Sequence, residues 1–254
     1  MGISKIIIFL FLNIKFSNSF IQNKNTFFIN NFLIKKYGKI KPVGYSNAKK
    51  IMKNELNEIC IYGENIYKEV NCEHVWCQKY FKKNEPMKSD LHNIFLSNTK
   101  LNSHRQDYKF AYLYKNIIYL DDYGNKTKYN NRELIKKNNK LRIFEPKNYS
   151  KGKISRAIAY FYLFYPKYSY YIEEVIDINT LLEWNRKFPP CKDEIKRNEL
   201  INNIQNNYNP FIKYPFLIEI IFNKKINIFN LSNSIIVSII NYPVYLFNKL
   251  KIHK

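Results

Sequence analysis

The stretch from Lys151 to Pro190 limits the possible folds of this chain more than any other. After Lys151-Gly152-Lys153, apolar residues recur at Ile154, Ala157, Ile158, Phe161 and Tyr165, the spacing of one buried helical face. Pro166 has no amide N–H to continue the ladder, so the helix is expected to stop there. A second helix is expected over 180–187, capped by Asn179, with Leu181, Leu182 and Trp184 inward and Pro189-Pro190 closing it. A third is expected over 193–205, where Asp193 and Glu194 suit the positive end of the helix dipole. Asn209-Pro210-Phe211 then turns the chain. Residues 59–80 instead carry β-branched and aromatic residues in short runs, which favours strands. Asp90-Leu91-His92-Asn93 reads as a loop or cap, residues 97–108 as a short helix, and the Asn- and Lys-rich 121–140 as a surface excursion around a turn at Asp122-Tyr123-Gly124-Asn125. Helices mixed with short strands imply an α+β domain.

Charge narrows the partner. The 254 residues carry 42 basic against 20 acidic side chains, a net +22, which points to a polyanion. Lys, Asn, Ile, Tyr and Phe share AT-rich codons, so the lysine excess alone is weak support. The scarce arginines say more, and Arg105, Arg156 and Arg197 fall within the motifs below. Trp76 and Trp184 also fall there, and both are expected in the core. A hydrophobic share of 46% is enough for such a core.

The ends read differently from the middle. Lys5, the apolar run 6–12 and Ser17-Asn18-Ser19 have the order of a signal peptide, expected over residues 1–20. Residues 21–54 contain no acid but many lysines, and are expected to form a basic, transit-like leader. Secretion and delivery to a plastid-type organelle both fit such a start. The folded domain is then expected over 55–222, with 223–254 as an apolar and basic extension. Within that tail, 234–247 followed by Lys249, Lys251 and Lys254 suits packing on the domain, peripheral contact with a membrane, or disorder.

Chemistry concentrates in Asn71-Cys72-Glu73-His74-Val75-Trp76-Cys77-Gln78. Glu73 offers a hard oxygen ligand and His74 a base that is neutral near pH 7. Neighbours in a strand point to opposite faces, so a bend or bulge is expected if both serve one site. By themselves the two also fit a buried histidine bonded to a glutamate. Cys60, Cys72, Cys77 and Cys191 allow three full disulfide pairings, among which the sequence does not choose. A zinc site from Cys72, Cys77, His74 and His92 matches no standard spacing.

Taken in order, Glu73-His74-Val75-Trp76, Asp90-Leu91-His92-Asn93, Arg105-Gln106-Asp107-Tyr108, Lys151-Gly152-Lys153-Ile154-Ser155-Arg156-Ala157, Trp184, Glu194 with Arg197-Asn198, and Gln205 to Phe211 resemble the bacterial endonuclease I and secreted nuclease family. The resemblance implies a ββα-metal (His-Me finger) nuclease core with surrounding helices. It also implies a metal-dependent, largely sequence-nonspecific endonuclease acting on DNA, with RNA left open, that leaves 5′-phosphate ends. His74 would be the general base. Glu73 and Asp107 would hold Mg²⁺ or a similar hard cation such as Ca²⁺ or Mn²⁺; the family has Asn where this chain has Asp107. Arg105 and Arg156 would contact phosphate or brace the site. Asp90, His92, Asn93 and Asn209 would support its loops. The extra charge at Asp107 leaves open a protein that binds nucleic acid without cutting it.

Overall fold

The computed structural model describes residues 18–56, 60–63, 70–128 and 134–222. The apolar run 6–12 and the tail 223–254 lie outside them, so the signal-peptide and tail expectations do too. No helix among the described residues is long and apolar enough to cross a membrane.

The architecture is α+β, as expected. Two helices, α1 (Asn18–Tyr37) and α2 (Tyr45–Asn54), precede an antiparallel pair, β1 (Val70–His74) and β2 (Ile94–Asn98), and helix α3 (Thr99–Arg105) follows at once. Next come β3 (Lys109–Phe110), β4 (Ile118–Leu120), β5 (Lys126–Thr127), β6 (Ile135–Asn138) and β7 (Ile143–Glu145). They form one sheet in the order β3-β7-β6-β4-β5, in which only β3 and β7 run parallel. The helices α4 (Asn148–Phe164), α5 (Ile172–Val175), α6 (Ile178–Lys187), α7 (Lys192–Gln205), α8 (Pro210–Lys213) and α9 (Phe216–Phe222) complete the fold.

Helix α4 is the central element. It begins before the apolar run at Ile154 and is buried at Ser150, Lys151, Gly152, Ser155 and Arg156 as well as at its apolar positions. Trp76 stacks on its Phe161 with ring centroids 4.8 Å apart, and Trp76 and Trp184 are both fully buried. Gly152 allows a close approach: a Cβ there would collide with the Phe188 carbonyl oxygen. Helix α7 ends in a left-handed Asn206 (φ 60°), a conformation that Asn tolerates.

Three expectations need correction. Helix α6 is capped by Asp177, whose side chain accepts from the Thr180 amide at 2.8 Å, so Asn179 is not the cap. Within 121–140, the expected surface excursion, the described residues supply β5 and β6 to the sheet. The strand sequence Ile-Lys-Lys-Asn hides this, because Lys137 and Asn138 are buried through hydrogen bonds rather than apolar alternation. The packed unit also starts before residue 55. Ala48 and Met52, one helical turn apart in α2, are fully buried against Leu91, Ile94, Leu96 and Ile201.

Candidate active site

Strand β1 pairs with β2 in regular register, Glu73 opposite Phe95 and His74 opposite Ile94. No bulge separates the two candidate residues; the chain bends just afterwards, at Val75-Trp76. Asn93 fixes that bend. Its Oδ1 accepts from the Trp76 amide at 2.8 Å, its Nδ2 donates to the Trp76 carbonyl at 3.2 Å, and its own carbonyl accepts from the Val75 amide at 3.0 Å. Residues 75–93 therefore form a closed loop between the two strands. Helix α3 starts where β2 ends because Asn98 accepts from the amides of Lys100 and Leu101. From that helix Asn102 donates back to Asn71 Oδ1 at 2.8 Å, and Arg105 reaches under β1. The result is a β-β-α unit with both candidate residues buried at its centre.

Glu73 and His74 face different surroundings. Glu73 Oε1 accepts from the Tyr62 hydroxyl at 3.0 Å and lies 3.4 Å from Arg105 Nε. Burial pushes the Glu73 carboxyl up to about 7, against the pull of Arg105 and Tyr62. Arg105 is itself buried, donates to the Val75 carbonyl at 2.8 Å and to the Gln106 carbonyl at 2.9 Å, and lies over the Phe110 ring. It braces Glu73.

His74 Nε2 lies 2.9 Å from the Lys88 carbonyl oxygen. A carbonyl only accepts, so Nε2 carries the proton and Nδ1 holds the lone pair. Burial lowers the imidazole to about 4, which keeps it neutral. Nδ1 is buried without a hydrogen-bond partner among the described residues. Tyr45 of α2 covers the ring at 5.7 Å and Phe81 flanks it at 6.1 Å. The arrangement is an oriented, neutral base with one bare nitrogen.

Asp107 lies two residues beyond the end of α3. Its carboxylate bonds Lys79 at 2.8 Å on one oxygen and Arg142 on the other. Burial acts to raise its pKa, but the Lys79 hydrogen bond and the charges of Lys79 and Arg142 outweigh it and hold the carboxyl below the usual range. Among the described residues, no group of three or more His, Cys, Asp or Glu side chains is placed to hold a metal ion. The four cysteines are unpaired, and His92 donates to the Asn207 carbonyl at 3.2 Å.

The remaining candidates hold the frame. Asp90 accepts from the hydroxyls of Tyr160 and Tyr165 at 2.8 and 2.6 Å, from Gln205 Nε2 at 2.8 Å and from the His92 amide at 2.9 Å. Four donors on one buried carboxylate tie the loop ahead of β2 to α4 and α7. His92 packs on the Tyr160 ring and is pushed down to about 4 by burial. Asn209 donates to the Arg156 carbonyl at 3.0 Å and caps α8 by accepting from the Phe211 amide. Arg156 is fully buried in a two-pronged pair with Glu194, Nε–Oε1 2.7 Å and Nη2–Oε2 2.6 Å, and also donates to the Phe188 carbonyl at 2.9 Å. It meets none of Glu73, His74 or Asp107 in these bonds.

Sequence reasoning missed five contributors: Tyr45, Tyr62, the Lys88 carbonyl and the ion-paired Lys79 and Arg142. The i, i+4 pair Ala48 and Met52 would have marked α2 as packed structure, and with it Tyr45. The others depend on loop closure, which leaves no periodic trace.

The chain is similar in sequence to known proteins. The sequence profile of the endonuclease I family matches residues 34–216, which begins ahead of α2. A periplasmic deoxyribonuclease of Aeromonas hydrophila is 29% identical over 128 residues, covering 50% of this chain and 48% of the relative. Endonuclease-1 of Buchnera aphidicola subsp. Acyrthosiphon pisum is 30% identical over 131 residues, 52% of this chain and 47% of the relative. An extracellular deoxyribonuclease of Aeromonas hydrophila is 27% identical over 128 residues, half of each chain. This chain thus spans about half the length of the curated relatives it matches. Since the profile match covers the β-β-α unit, the central helix α4 and the helices α6 and α7, the chain belongs to the endonuclease I family.

Proposed function

We propose that this chain is a metal-dependent endonuclease that hydrolyses DNA phosphodiesters with little sequence preference and leaves 5′-phosphate ends. The observation that carries the reading is His74: a neutral imidazole, oriented through Nε2, with Nδ1 bare, next in sequence to the buried Glu73 carboxylate. His74 Nδ1 takes a proton from the water that attacks phosphorus. The Lys88 carbonyl keeps the ring in the required tautomer, and Arg105 favours the charged form of Glu73.

The donor chemistry suits a hard cation at Glu73, since a carboxyl raised to about 7 by burial is one that a cation stabilises in its charged form. Glu73 and Asp107 would hold it, with Asp107 first giving up Lys79 and Arg142. When bound, Mg²⁺, Ca²⁺ or Mn²⁺ supplies positive charge at the phosphate and the leaving 3′ oxygen. The doubly paired Asp107 favours a second reading, a protein that binds nucleic acid but cuts it poorly.

The net +22 supports phosphate contacts that carry no sequence information and that extend to RNA. The periplasmic and extracellular names of relatives support entry into the secretory route. A plastid-type destination and membrane contact by residues 223–254 belong to the same proposal.

The test is incubation of the full chain with supercoiled plasmid, in Mg²⁺ or in EDTA, beside His74→Ala. Nicking is expected only for the wild type with Mg²⁺. Nicking that survives EDTA or the substitution sinks the mechanism, and plasmid binding without nicking selects the second reading.

A further inference from the structure

On the side of α3 away from Arg105, a cluster of cations surrounds a histidine. His104 Nε2 lies 2.9 Å from the Gly124 carbonyl oxygen, so that nitrogen carries the proton. His104 Nδ1 therefore accepts from the Lys137 ammonium at 3.0 Å. Lys137 is 5% exposed, and this imidazole is its hydrogen-bond partner among the described residues. Lys100, one turn before His104, donates to Asn125 Oδ1 and packs its stem over Gly124. Lys126 follows on β5 and is exposed, with no carboxylate partner among the described residues.

The neighbouring carboxylates among the described residues, Asp121 and Asp122, are committed elsewhere. Asp121 accepts from the amides of Tyr123 and Asn125 and from Asn125 Nδ2, and Asp122 pairs with Lys147 at 2.8 Å. Burial lowers the imidazole of His104, and Lys137, Lys100 and Lys126 lower it further. Burial and Lys126 also lower the Lys137 ammonium. Among the described residues these three ammonium groups have no carboxylate partner, so they repel one another, and one is nearly buried. An ammonium in that position is costly without an anion. Lys137 keeps two further N–H donors, and Lys100 and Lys126 stand at the surface beside it.

We propose that Lys100, Lys126 and Lys137, with His104 as the group that holds Lys137 in place, form a phosphate seat for the backbone of bound nucleic acid, separate from the scissile position. The identity of the anion rests on the nuclease reading; the cation cluster does not. Because α3 carries Arg105 toward Glu73 and His104 toward this cluster, a phosphate seated here fixes the register of the strand against the β-β-α unit.

The test uses the full chain carrying His74→Ala, in EDTA, with a fluorescein-labelled DNA duplex followed by anisotropy over a salt series. Adding Lys100→Gln and Lys126→Gln together should reduce the slope of log K against log salt by about 1.8, at ~0.9 per phosphate contact. Lys192→Gln, an exposed charge on α7, should leave the slope in place. In the same His74→Ala background, the NMR titration of His104, assigned through His104→Gln, should shift upward when duplex binds, and by less with inorganic phosphate. An unchanged slope, an equal loss with Lys192→Gln, or an inorganic-phosphate shift as large as the duplex shift would each overturn the proposal. Plasmid nicking by the wild type is scored separately. Failure to nick with the slope change present therefore removes the nuclease reading and leaves the phosphate seat standing.

Discussion

Replacing Arg156 with Leu decides whether that arginine serves the substrate or the fold. The side chain is 1% exposed, Glu194 is 4% exposed, and the pair is bonded at both prongs. Leu removes the cation and leaves the Glu194 carboxylate buried without its partner, which costs about 3–5 kcal/mol. The Phe188 carbonyl also loses its 2.9 Å donor, adding about 1 kcal/mol. At ~2–4 °C per kcal/mol for a domain of this size, Tm should fall by roughly 8–24 °C. Arg156→Leu with Glu194→Leu should recover about 2 kcal/mol or more of the loss, since replacing both charges removes the stranded one. Urea denaturation of the two single variants and the double variant closes the cycle, and kcat/KM on plasmid is measured below each Tm. The folded Arg156→Leu protein should cut at the wild-type rate. A variant that melts within a degree or two of wild type but loses about tenfold or more in kcat/KM would refute the reasoning and make Arg156 a phosphate contact.

Three further outcomes follow from named contacts. Asn93→Ala strands the Trp76 amide and carbonyl inside the loop; it should cost about 2–4 kcal/mol in chemical denaturation and lower kcat through a misplaced His74, whereas full activity at full stability would refute the loop-closure role. His92, held near 4 in the fold against an ordinary 6.5, contributes stability that is present above pH 6.5 and lost as pH falls through 4, about 3 kcal/mol at ~1.4 per unit. Glu73, raised to about 7, works in the opposite sense between 4.5 and 7, so the effect is read as the difference between wild type and His92→Gln; parallel stability–pH curves for the two would contradict it. Deleting residues 1–54 uncovers the pocket that Ala48 and Met52 fill against Leu91, Ile94 and Ile201, and should cost at least about 2–5 kcal/mol, the range for emptying one large core position. A deletion variant with the melting temperature of the full chain would return that segment to the role of a leader.

Much of the helical frame was legible because helices report locally. Ile154, Ala157, Ile158 and Phe161 sit on one face, Pro166 ends the run, and α4 stops at Phe164 as that proline requires. The start of α4 was not legible, because its first turns bury Ser150, Lys151 and Arg156 through ion pairs and hydrogen bonds that have no apolar period. The same blindness hid β6, whose Lys137 is buried beside His104. Lysine-rich composition also concealed α2, where the two buried positions are spaced correctly but surrounded by Lys49, Lys50 and Lys53.

At the site, the sequence alone determined which groups are present: Glu73 beside His74, Arg105 and Asp107 downstream, and the order of motifs that places the chain in the endonuclease I family. Side-chain chemistry and spacing are local properties, and a linear chain records them. Only the tertiary structure decided what each group is bonded to. It assigned the proton of His74 to Nε2 through the Lys88 carbonyl, turned Arg105 into a brace for Glu73, and put Arg156 in the frame with Glu194. It also gave Asp107 to Lys79 and Arg142. Protonation and pairing depend on burial and on partners that lie from 14 to 38 positions away, as His74 to Lys88 and Arg156 to Glu194 show. The physical reason is that an electrostatic environment belongs to a folded volume and not to a stretch of chain.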